Sequence, residues 1–400
     1  MNMLFEGQST GLLDNGACMT TRRHVELPAK RICALLIEPN IADVLSVRGA
    51  LAKTSTSKLE LETAYSVAEG IARLDLGGID AVIMGVDEFR TVHNRFPAVP
   101  LIILTEAANE EIAMRSLREG AQDLLFKHHL DGTLLDRMLR YGIERHERRQ
   151  LEKLMRATET ELRLAAGIQR RLLPTTRPTA PGFDFGGAFN SAFATCGDWY
   201  DYVSLRDGRF GIIVGDVSGK GMGPAMVATE TRAIVRSLLI HTSDIGEILT
   251  SCNRLLLNDL SESRFVTMFF AVVDPVDRTM IYVGAGHRGF LFNAAGEHRI
   301  LESTCVPLGF DEQLTVTSSS EVMLSPGDVL VALTDGVEEA TGADGSAFGT
   351  ERVLDALRRT RSESAQRIAD HMVYETVTEF TCGATQDDDS TAVVLKVEEE

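Results

Sequence analysis

The stretch VGDVSGKGMG, residues 214–223, joins an apolar run to a helical segment and decides how the second half of the chain is interpreted. Its glycines and lysine at a strand-to-helix turn are typical of a phosphate-binding loop. That P-loop pattern, however, needs four residues between its glycines and a Ser or Thr after the lysine. Here three residues separate the glycines, and Gly221 follows the lysine. The spacing argues against nucleotide binding and favours Asp216, at a strand end before flexible glycines, as a metal ligand.

Length and composition indicate a multidomain globular protein. The chain has 400 residues, of which 44% are hydrophobic and 24% charged, and its net charge is −18. This length predicts two or three domains, and the acidic balance argues against nucleic acid as a partner while suiting divalent cations. No apolar run approaches the ~20 residues that cross a bilayer. The N-terminus lacks a secretory signal, so we expect a cytoplasmic protein without a membrane partner. Six cysteines without a C-x-x-C pair argue against a zinc site or disulfide framework.

Residues 1–28 show no periodicity and are predicted to be a flexible tail. Between residues 29 and 135, apolar strands alternate with amphipathic helices. The strand-like runs are RICALLIEP, KLELETA, IDAVIM, VPLIILT and AQDLLF. Such alternation implies βαβ units and a parallel sheet. The segment is therefore predicted to be an α/β, flavodoxin-like, doubly wound domain.

The same segment resembles a response-regulator receiver domain. Thr105 in ILTEA and Lys127 in LLFKH stand where that family has its Thr and Lys. The family's phosphoryl acceptor falls on Gly85, and its metal-binding acid pair is reduced to Glu38 followed by proline. Asp87 is an alternative acceptor, although strand alternation points it elsewhere. The resemblance implies a pseudo-receiver that has lost phosphotransfer and serves as a docking or dimerising module, with an upstream signalling protein as its docking partner.

Residues 136–173 are predicted to form a helical, coiled-coil linker. Seven positions, of which two are polar and one is alanine, recur at alternating spacings of four and three, a weak form of the a/d pattern of a coiled coil. These positions are Leu151, Met155, Thr158, Leu162, Ala165, Gln169 and Leu172. The pattern fits a solvated single helix as well as the stalk of a parallel homodimer. Prolines in PTTRPTAPGF end the helix.

Residues 174–400 are predicted to form an α+β domain, a β-sandwich flanked by helices in an α-β-β-α arrangement. Long helical segments are expected at 224–241, 244–260 and 351–380. Acidic residues recur at strand ends: Asp198 and Asp201 in TCGDWYD, Asp216 in VGDVSGKG, Asp335 in VALTDG, and Asp387, Asp388 and Asp389 in TQDDDST. Converging carboxylates require cations between them. Oxygen ligands suit Mg²⁺ or Mn²⁺, and two such ions support hydrolysis of a phosphoester.

The motifs IQRRLLP, CGDWYD, GDVSGKGMGPAM, TMFFAVVDP, GAGH, PLGF, SPGDVLVALTDGVEEA and DDSTAVV follow one another in residues 162–396. In this order they resemble the metal-dependent (type 2C) protein phosphatases, in the bacterial branch typified by the stage II sporulation phosphatase and the sigma-factor-regulating phosphatases. The resemblance implies a serine/threonine protein phosphatase with two Mn²⁺ or Mg²⁺ ions. The implied substrate is a phosphorylated anti-sigma-factor antagonist. The pseudo-receiver would regulate the activity of the phosphatase.

The resemblance also implies roles for individual residues. Asp216 would bridge both ions, with the carbonyl of Val217 on one of them. Asp335 and Asp388 would complete the other site, and Asp198 would reach the pair directly or through water. Asp388 is chosen over its neighbours because Thr391 closes the family's D-x-x-T pattern. Catalysis would depend on Asp216 and Asp335. Lys220, with the glycines on either side of it, would shape the loop beside the metals.

Two positions depart from the family pattern. Cys196 replaces the first glycine of G-G-D, and its redox sensitivity is an open question. Ser218 stands where eukaryotic relatives have a histidine, so no histidine is given a catalytic role, and His287 is expected to be a structural hydrogen-bonding residue. Two other functions remain possible. One is a non-catalytic adaptor, and the other is a cyclic-dinucleotide synthase, which Trp199 opposes because it occupies the required acidic position.

Overall fold

A computed structural model describes residues 31–53, 59–106, 110–260, 264–384 and 386–398. The predicted tail, residues 1–28, lies outside these ranges. The chain divides into two compact units, one ending at Met155 and the other beginning at Arg156. Among the described helices, none is both long and apolar enough to cross a membrane.

The first unit contains a five-stranded parallel sheet with the strand order β2-β1-β3-β4-β5. Its strands are β1 (Ile32–Ile37), β2 (Leu59–Ala64), β3 (Ala81–Met84), β4 (Leu101–Thr105) and β5 (Asp123–Phe126). The intervening helices are α1 (Ile41–Ala52), α2 (Val67–Asp75), α3 (Phe89–Arg95) and α4 (Glu110–Arg118). This order is that of doubly wound, flavodoxin-like sheets. The five strands predicted from the sequence are all present.

Buried apolar side chains cover both faces of this sheet, as parallel strands require. One cluster includes Leu36, Ile83 and Leu104, and the other includes Leu35 and Ile103. Neighbouring residues of one strand thus enter opposite clusters, so each strand is an uninterrupted apolar run.

Helix α5 (Gly132–Leu172) is the longest in the described chain. Its first turns pack into the core of the first unit through buried residues such as Leu135, Leu139 and Ile143. Residues 147–161 are all exposed in this single chain, including the predicted coiled-coil positions Leu151 and Met155. A dimer through this helix remains a prediction.

The second unit is a sandwich of two five-stranded sheets, with strand orders β13-β10-β9-β8-β7 and β12-β11-β14-β15-β6. The strands are β6 (Phe183–Asn190), β7 (Trp199–Ser204), β8 (Phe210–Val217), β9 (Val266–Asp274), β10 (Thr279–Ala285), β11 (Gly289–Phe292), β12 (His298–Leu301), β13 (Val322–Met323), β14 (Val329–Leu333) and β15 (Ser390–Val397). The helices are α6 (Met222–Leu238), α7 (Ile245–Asp259), α8 (Asp335–Glu338), α9 (Gly349–Thr360), α10 (Ala365–Asp370) and α11 (Val377–Phe380).

Three apolar layers hold this unit together. A middle layer, with Phe185, Phe269 and Leu330, lies between the sheets. Helices α6 and α7 cover one outer face and α9 to α11 cover the other. The predicted α-β-β-α sandwich is therefore present, and it brings the ends of β8, β14 and β15 toward one another.

The predicted helix 351–380 is interrupted. Helix α9 ends at Thr360, and a new helix, α10, starts at Ala365, where Ser364 accepts a hydrogen bond from the Arg367 amide as its N-cap. A π-helical turn, His371–Thr376, then leads into α11. Apolar periodicity continues through the break because all these turns cover the same sheet, which is why the sequence suggested one helix.

Candidate metal centre

Two glycines allow the acidic segments of the second unit to approach one another. A Cβ on Gly197 would lie 2.7 Å from the carbonyl oxygen of Val217, so the loop before β7 can touch the end of β8 only without a side chain there. A Cβ on Gly336 would lie 1.8 Å from the carbonyl oxygen of Asp389. The start of α8 is thereby pressed against the loop that precedes β15. These close approaches bring together the segments that carry the four predicted metal ligands.

Asp198 is the innermost of these ligands and is buried. Its Oδ2 accepts hydrogen bonds of 2.7 Å from the hydroxyls of Thr334 and Thr391. Those two threonines also bond each other, since the Thr391 amide donates to the Thr334 hydroxyl over 2.8 Å. Burial, followed by the charge of Asp216, raises the pKa of Asp198 well above its ordinary value. The two hydroxyls fix the orientation of a carboxylate that forms no ion pair with any basic residue in the described ranges.

Asp216 is the penultimate residue of β8 and lies opposite Thr267 of β9. Burial and then the charge of Asp335 raise the pKa of Asp216 to about 7. Val217 ends the strand, and its carbonyl faces the Gly197 loop. Asp216 therefore lies between the innermost carboxylate and those nearer the solvent.

Asp335 and Asp388 form the outer part of the group. Asp335 begins α8 directly after β14 and is exposed, yet partial desolvation, with the charges of Glu339 and Asp388, raises its pKa. Asp388 is half-buried, and its Oδ2 lies 3.1 Å from the Lys220 ammonium. A pocket of about 230 Å³ borders Asp335, between Thr267 and Arg288. The group thus runs from the interior to an open mouth.

The electrostatics of this group favour a divalent cation. Burial and mutual repulsion disfavour the ionised forms of Asp198, Asp216 and Asp335, and a nearby positive charge would reverse both effects. Among the described residues, no Lys, Arg or His forms an ion pair with any of these three. All-oxygen donors are the preference of Mg²⁺ and Mn²⁺. The donor set therefore fits these ions, although within the described ranges no three acidic, His or Cys side chains already meet at one point.

Other strand-end aspartates have structural partners instead. Asp201 is fully buried and pairs with Arg232 and Arg236 of α6, at 3.0 and 2.6 Å. Asp389 accepts from the backbone amides of Ala192 and Gly197. Asp387 is exposed. Sequence position alone had grouped these three with the metal-ligand candidates.

The polar residues around the centre have structural contacts. The Ser218 hydroxyl accepts a hydrogen bond from the Phe265 amide over 3.0 Å. His287 is buried, with Nδ1 3.3 Å from the Thr267 hydroxyl, and burial lowers its pKa to about 4. Burial raises the pKa of Cys196, which keeps it a thiol and argues against a reactive thiolate.

Sequence reasoning missed Thr334 and Gly336, which flank Asp335 in LTDG. The sequence did contain a signal for Thr334. At the end of β14 and at the start of β15, a threonine lies near an aspartate at the edge of an apolar run, as Thr391 does in the D-x-x-T pattern. Only the fold shows that both threonines point to Asp198.

In the first unit, the residues predicted by the receiver resemblance lie at one end of the sheet. Thr105 is buried at the end of β4, and Gly85 follows β3. The Lys127 ammonium lies 3.1 Å from Glu38 and 2.5 Å from Asp43, a partner that the sequence did not reveal. Asp87 is exposed in the turn after β3.

One solved structure and one family model are similar to the second unit. The SiaA-PP2C domain of Pseudomonas aeruginosa superposes with a TM-score of 0.55, covering 61% of this chain and 98% of that domain at 24% identity. This similarity shows a PP2C phosphatase-like fold. The family model described as Stage II sporulation protein E (SpoIIE) matches residues 206–398. Residues 206–398 are thus similar to the SpoIIE family, and the second unit has a PP2C phosphatase-like fold.

Two proteins of known sequence are similar to part of the chain. "Phosphoserine phosphatase RsbU" of Bacillus subtilis is 28% identical over 220 residues, which are 54% of this chain and 65% of that protein. "Protein IcfG" of Synechocystis is 27% identical over 263 residues, which are 59% of this chain and 41% of that protein. The chain therefore spans less than two thirds of either relative.

Proposed function

We propose that this protein is a metal-dependent phosphatase that hydrolyses phosphoserine or phosphothreonine in a protein substrate. The observation that carries this proposal is the group of four carboxylates, Asp198, Asp216, Asp335 and Asp388, contributed by separate segments at one end of the sandwich. Three of them have raised pKa values. A family match to SpoIIE and the similarity to a phosphoserine phosphatase support it.

Two Mn²⁺ or Mg²⁺ ions would be held by these residues. Asp216 would be shared, the Val217 carbonyl would add a ligand, and Asp335 and Asp388 would hold the outer ion. When bound, such ions supply Lewis-acid activation of water and neutralise the charge of a phosphoryl group. Asp198 would contribute from the interior, where Thr334 and Thr391 hold its carboxylate in one orientation.

The chain's own residues determine how protons and substrate are handled. The Ser218 hydroxyl accepts a hydrogen bond from the Phe265 amide, and a serine hydroxyl has no pKa near neutrality with which to replace the histidine of eukaryotic relatives as a general acid. His287 is neutral at physiological pH because its pKa is lowered to about 4, so it does not act as an acid. The exposed position of Asp335 and the adjoining pocket leave room for a phosphorylated side chain. No histidine is therefore assigned to proton transfer.

Substrate and regulation are inferred from the resemblance. We infer that the substrate is a phosphorylated anti-sigma-factor antagonist and that the protein acts in the cytoplasm. The first unit would act as a pseudo-receiver that binds an upstream signalling protein, and the exposed stretch of α5 would permit a homodimer. The Gly85 position, which offers no phosphoryl acceptor, supports regulation by docking rather than by phosphotransfer.

The test is Mn²⁺-dependent release of phosphate from p-nitrophenyl phosphate and from a phosphoserine protein. Asp216→Asn keeps the shape of the side chain but removes the shared negative charge, so we expect kcat to fall at least about 10²–10³-fold. The matched control is Asp207→Asn, which removes an exposed carboxylate paired with Arg209 in the turn after β7. This control is expected to keep wild-type activity.

Wild-type protein that releases no phosphate with either ion, while still binding partners, would support the alternative of a non-catalytic adaptor. Activity that survives Asp216→Asn would show that the acid group is not the catalytic centre. Circular dichroism of both variants distinguishes a loss of catalysis from a loss of folding.

A further inference from the structure

Lys220 makes contacts that the proposed hydrolysis does not require. Its ammonium lies 3.1 Å from Oδ2 of Asp388 and also donates to the carbonyl oxygen of Asp387. The same ammonium lies 5.8 Å from the centroid of the Phe193 ring. The side chain is 44% exposed, so it can leave this position without disrupting a core. Lys220 thus connects the turn after β8 to the loop before β15.

The backbone directs Lys220 to this place. Gly219 and Gly221 have φ values of 97° and 89°, in the left-handed region that disfavours other residues. Just before them, Ser218 is fixed to Phe265 by two hydrogen bonds, one from its amide and one to its hydroxyl, both 3.0 Å long. The turn therefore reverses sharply from a rigid strand end, and the lysine between the two glycines extends over the acidic loop.

The ion pair of Lys220 also sets it apart from the other basic residues of the described chain. Of the four carboxylates, Asp388 is the one with a basic partner among the described residues. A divalent ion bound by Asp388 would lie against a carboxylate whose Oδ2 is already 3.1 Å from the ammonium and whose Oδ1 accepts a hydrogen bond from the Asp389 amide over 2.9 Å. Because both cations stabilise one carboxylate in one place, they cannot occupy it together without repelling each other.

We propose that Lys220 is an internal counter-ion of Asp388 that competes with the divalent cation. When the ion concentration is low, the Lys220 contact holds the loop before β15 against the turn after β8. When the divalent ion binds Asp388, the Lys220 ammonium leaves the carboxylate. This inference rests on the proposed function, because it takes Asp388 as a metal ligand. It assigns Lys220 the role of setting the ion concentration at which the centre fills.

The test measures Mn²⁺ binding to the full chain by isothermal titration calorimetry, together with thermal unfolding in chelator. Lys220→Met removes the charge and keeps most of the side chain. We expect its apparent Kd for the weaker Mn²⁺ site to fall roughly two- to five-fold, the range expected for a partly exposed ion pair. In chelator, its second unit should melt about 2–4 °C lower, because Asp388 then has no cation. Lys220→Arg should stay close to wild type in both measurements.

The matched control is Lys396→Met, which changes the net charge equally. Lys396 lies on β15, five residues beyond Thr391 and so about 17 Å along the strand. Its ammonium donates to the carbonyl oxygens of Ser362 and Glu363 instead of a carboxylate. We expect its Mn²⁺ affinity to equal that of wild type.

Unchanged or weaker Mn²⁺ binding by Lys220→Met would overturn the inference, and so would equal tightening in Lys396→Met, which would reflect net charge alone. Should Lys220→Met fail to fold, Lys220→Gln is measured in its place with the same expectations. Failure of the proposed function has a different signature: wild type and Asp216→Asn would then show the same absence of Mn²⁺ binding. If wild-type binding is intact and Lys220 has no effect, only the role of Lys220 is wrong.

Discussion

The two units each place acidic side chains at the ends of buried strands, but they balance the charge in different ways. In the first unit, Glu38 and Asp43 share the ammonium of Lys127. In the second unit, no basic side chain of the described residues forms an ion pair with Asp198 or Asp216, and the pKa values of both are raised. The first group has its cation in the sequence, whereas the second is proposed to take its cation from solution.

This difference separates a structural acid from a functional one. A carboxylate with an internal cation is stabilised in the folded chain and has little left to offer an ion. A carboxylate without one destabilises the fold until a cation arrives, a cost that is tolerated mainly at functional sites. The motif CGDWYD contains both cases. Asp201 pairs with two arginines, whereas Asp198, three residues earlier, has no ion-pair partner among the described residues.

The largest effect that tests this comparison is expected at Asp201. Asp201→Ala leaves Arg232 and Arg236 without their buried partner, and Arg232 is itself largely buried. Removing one member of a buried ion pair leaves an uncompensated charge, so we expect the second unit to lose about 3 kcal/mol of unfolding free energy. Urea denaturation followed by circular dichroism measures this loss.

Asp207→Ala is the control for Asp201→Ala, because it removes an exposed aspartate paired with Arg209. An exposed pair contributes little, so this variant should lose less than about 1 kcal/mol. Equal losses in the two variants would mean that burial of the ion pair at Asp201 does not determine its role.

A smaller effect is expected at Lys127 in the first unit. Lys127→Met leaves buried Glu38 and half-buried Asp43 side by side without their cation. Because Lys127 and Asp43 retain some contact with solvent, we expect a loss of about 1–2 kcal/mol in the unfolding free energy of this unit. Lys53→Met, at an exposed position that ends α1, should change stability by less than about 0.5 kcal/mol. Stability unaffected by Lys127→Met would contradict the view that this lysine balances the two acids.

The sequence predicts most of the fold because apolar periodicity reports which face of each element is buried. The five parallel strands and the α-β-β-α sandwich both follow from such patterns. Short strands escape the same reasoning, and β13 has only two residues. The break between α9 and α10 also escapes it, because both helices bury the same kind of face.

The candidate site is less predictable, because periodicity does not identify partners. Asp198 and Asp201 look equivalent in CGDWYD, yet one meets two threonines and the other two arginines. The partners lie between 31 and 193 residues away in sequence. Motif resemblance predicts Asp198, Asp216, Asp335 and Asp388 as metal ligands, and the fold alone shows which of them Lys220 reaches.

The smallest effect is expected at Gly85, where the receiver resemblance would place a phosphoryl acceptor. A Cβ at this position would have no atom within 4 Å, and Gly85 is not among the glycines with positive φ. Gly85→Asp should therefore change the unfolding free energy of the first unit by less than about 0.5 kcal/mol. Gly132→Ala is the contrasting variant: its Cβ would lie 2.0 Å from the carbonyl oxygen of Ala50, and it should cost more than about 1 kcal/mol. Urea denaturation of both variants compares them directly.

A small effect at Gly85 would show that the fold has room for an acceptor and that its loss is a matter of chemistry. A loss as large as that of Gly132→Ala would instead show that the end of β3 does not have room for an acceptor. The pairing of Glu38 and Asp43 with Lys127 would then say less about how receiver-like sheets balance the charge of their acidic residues.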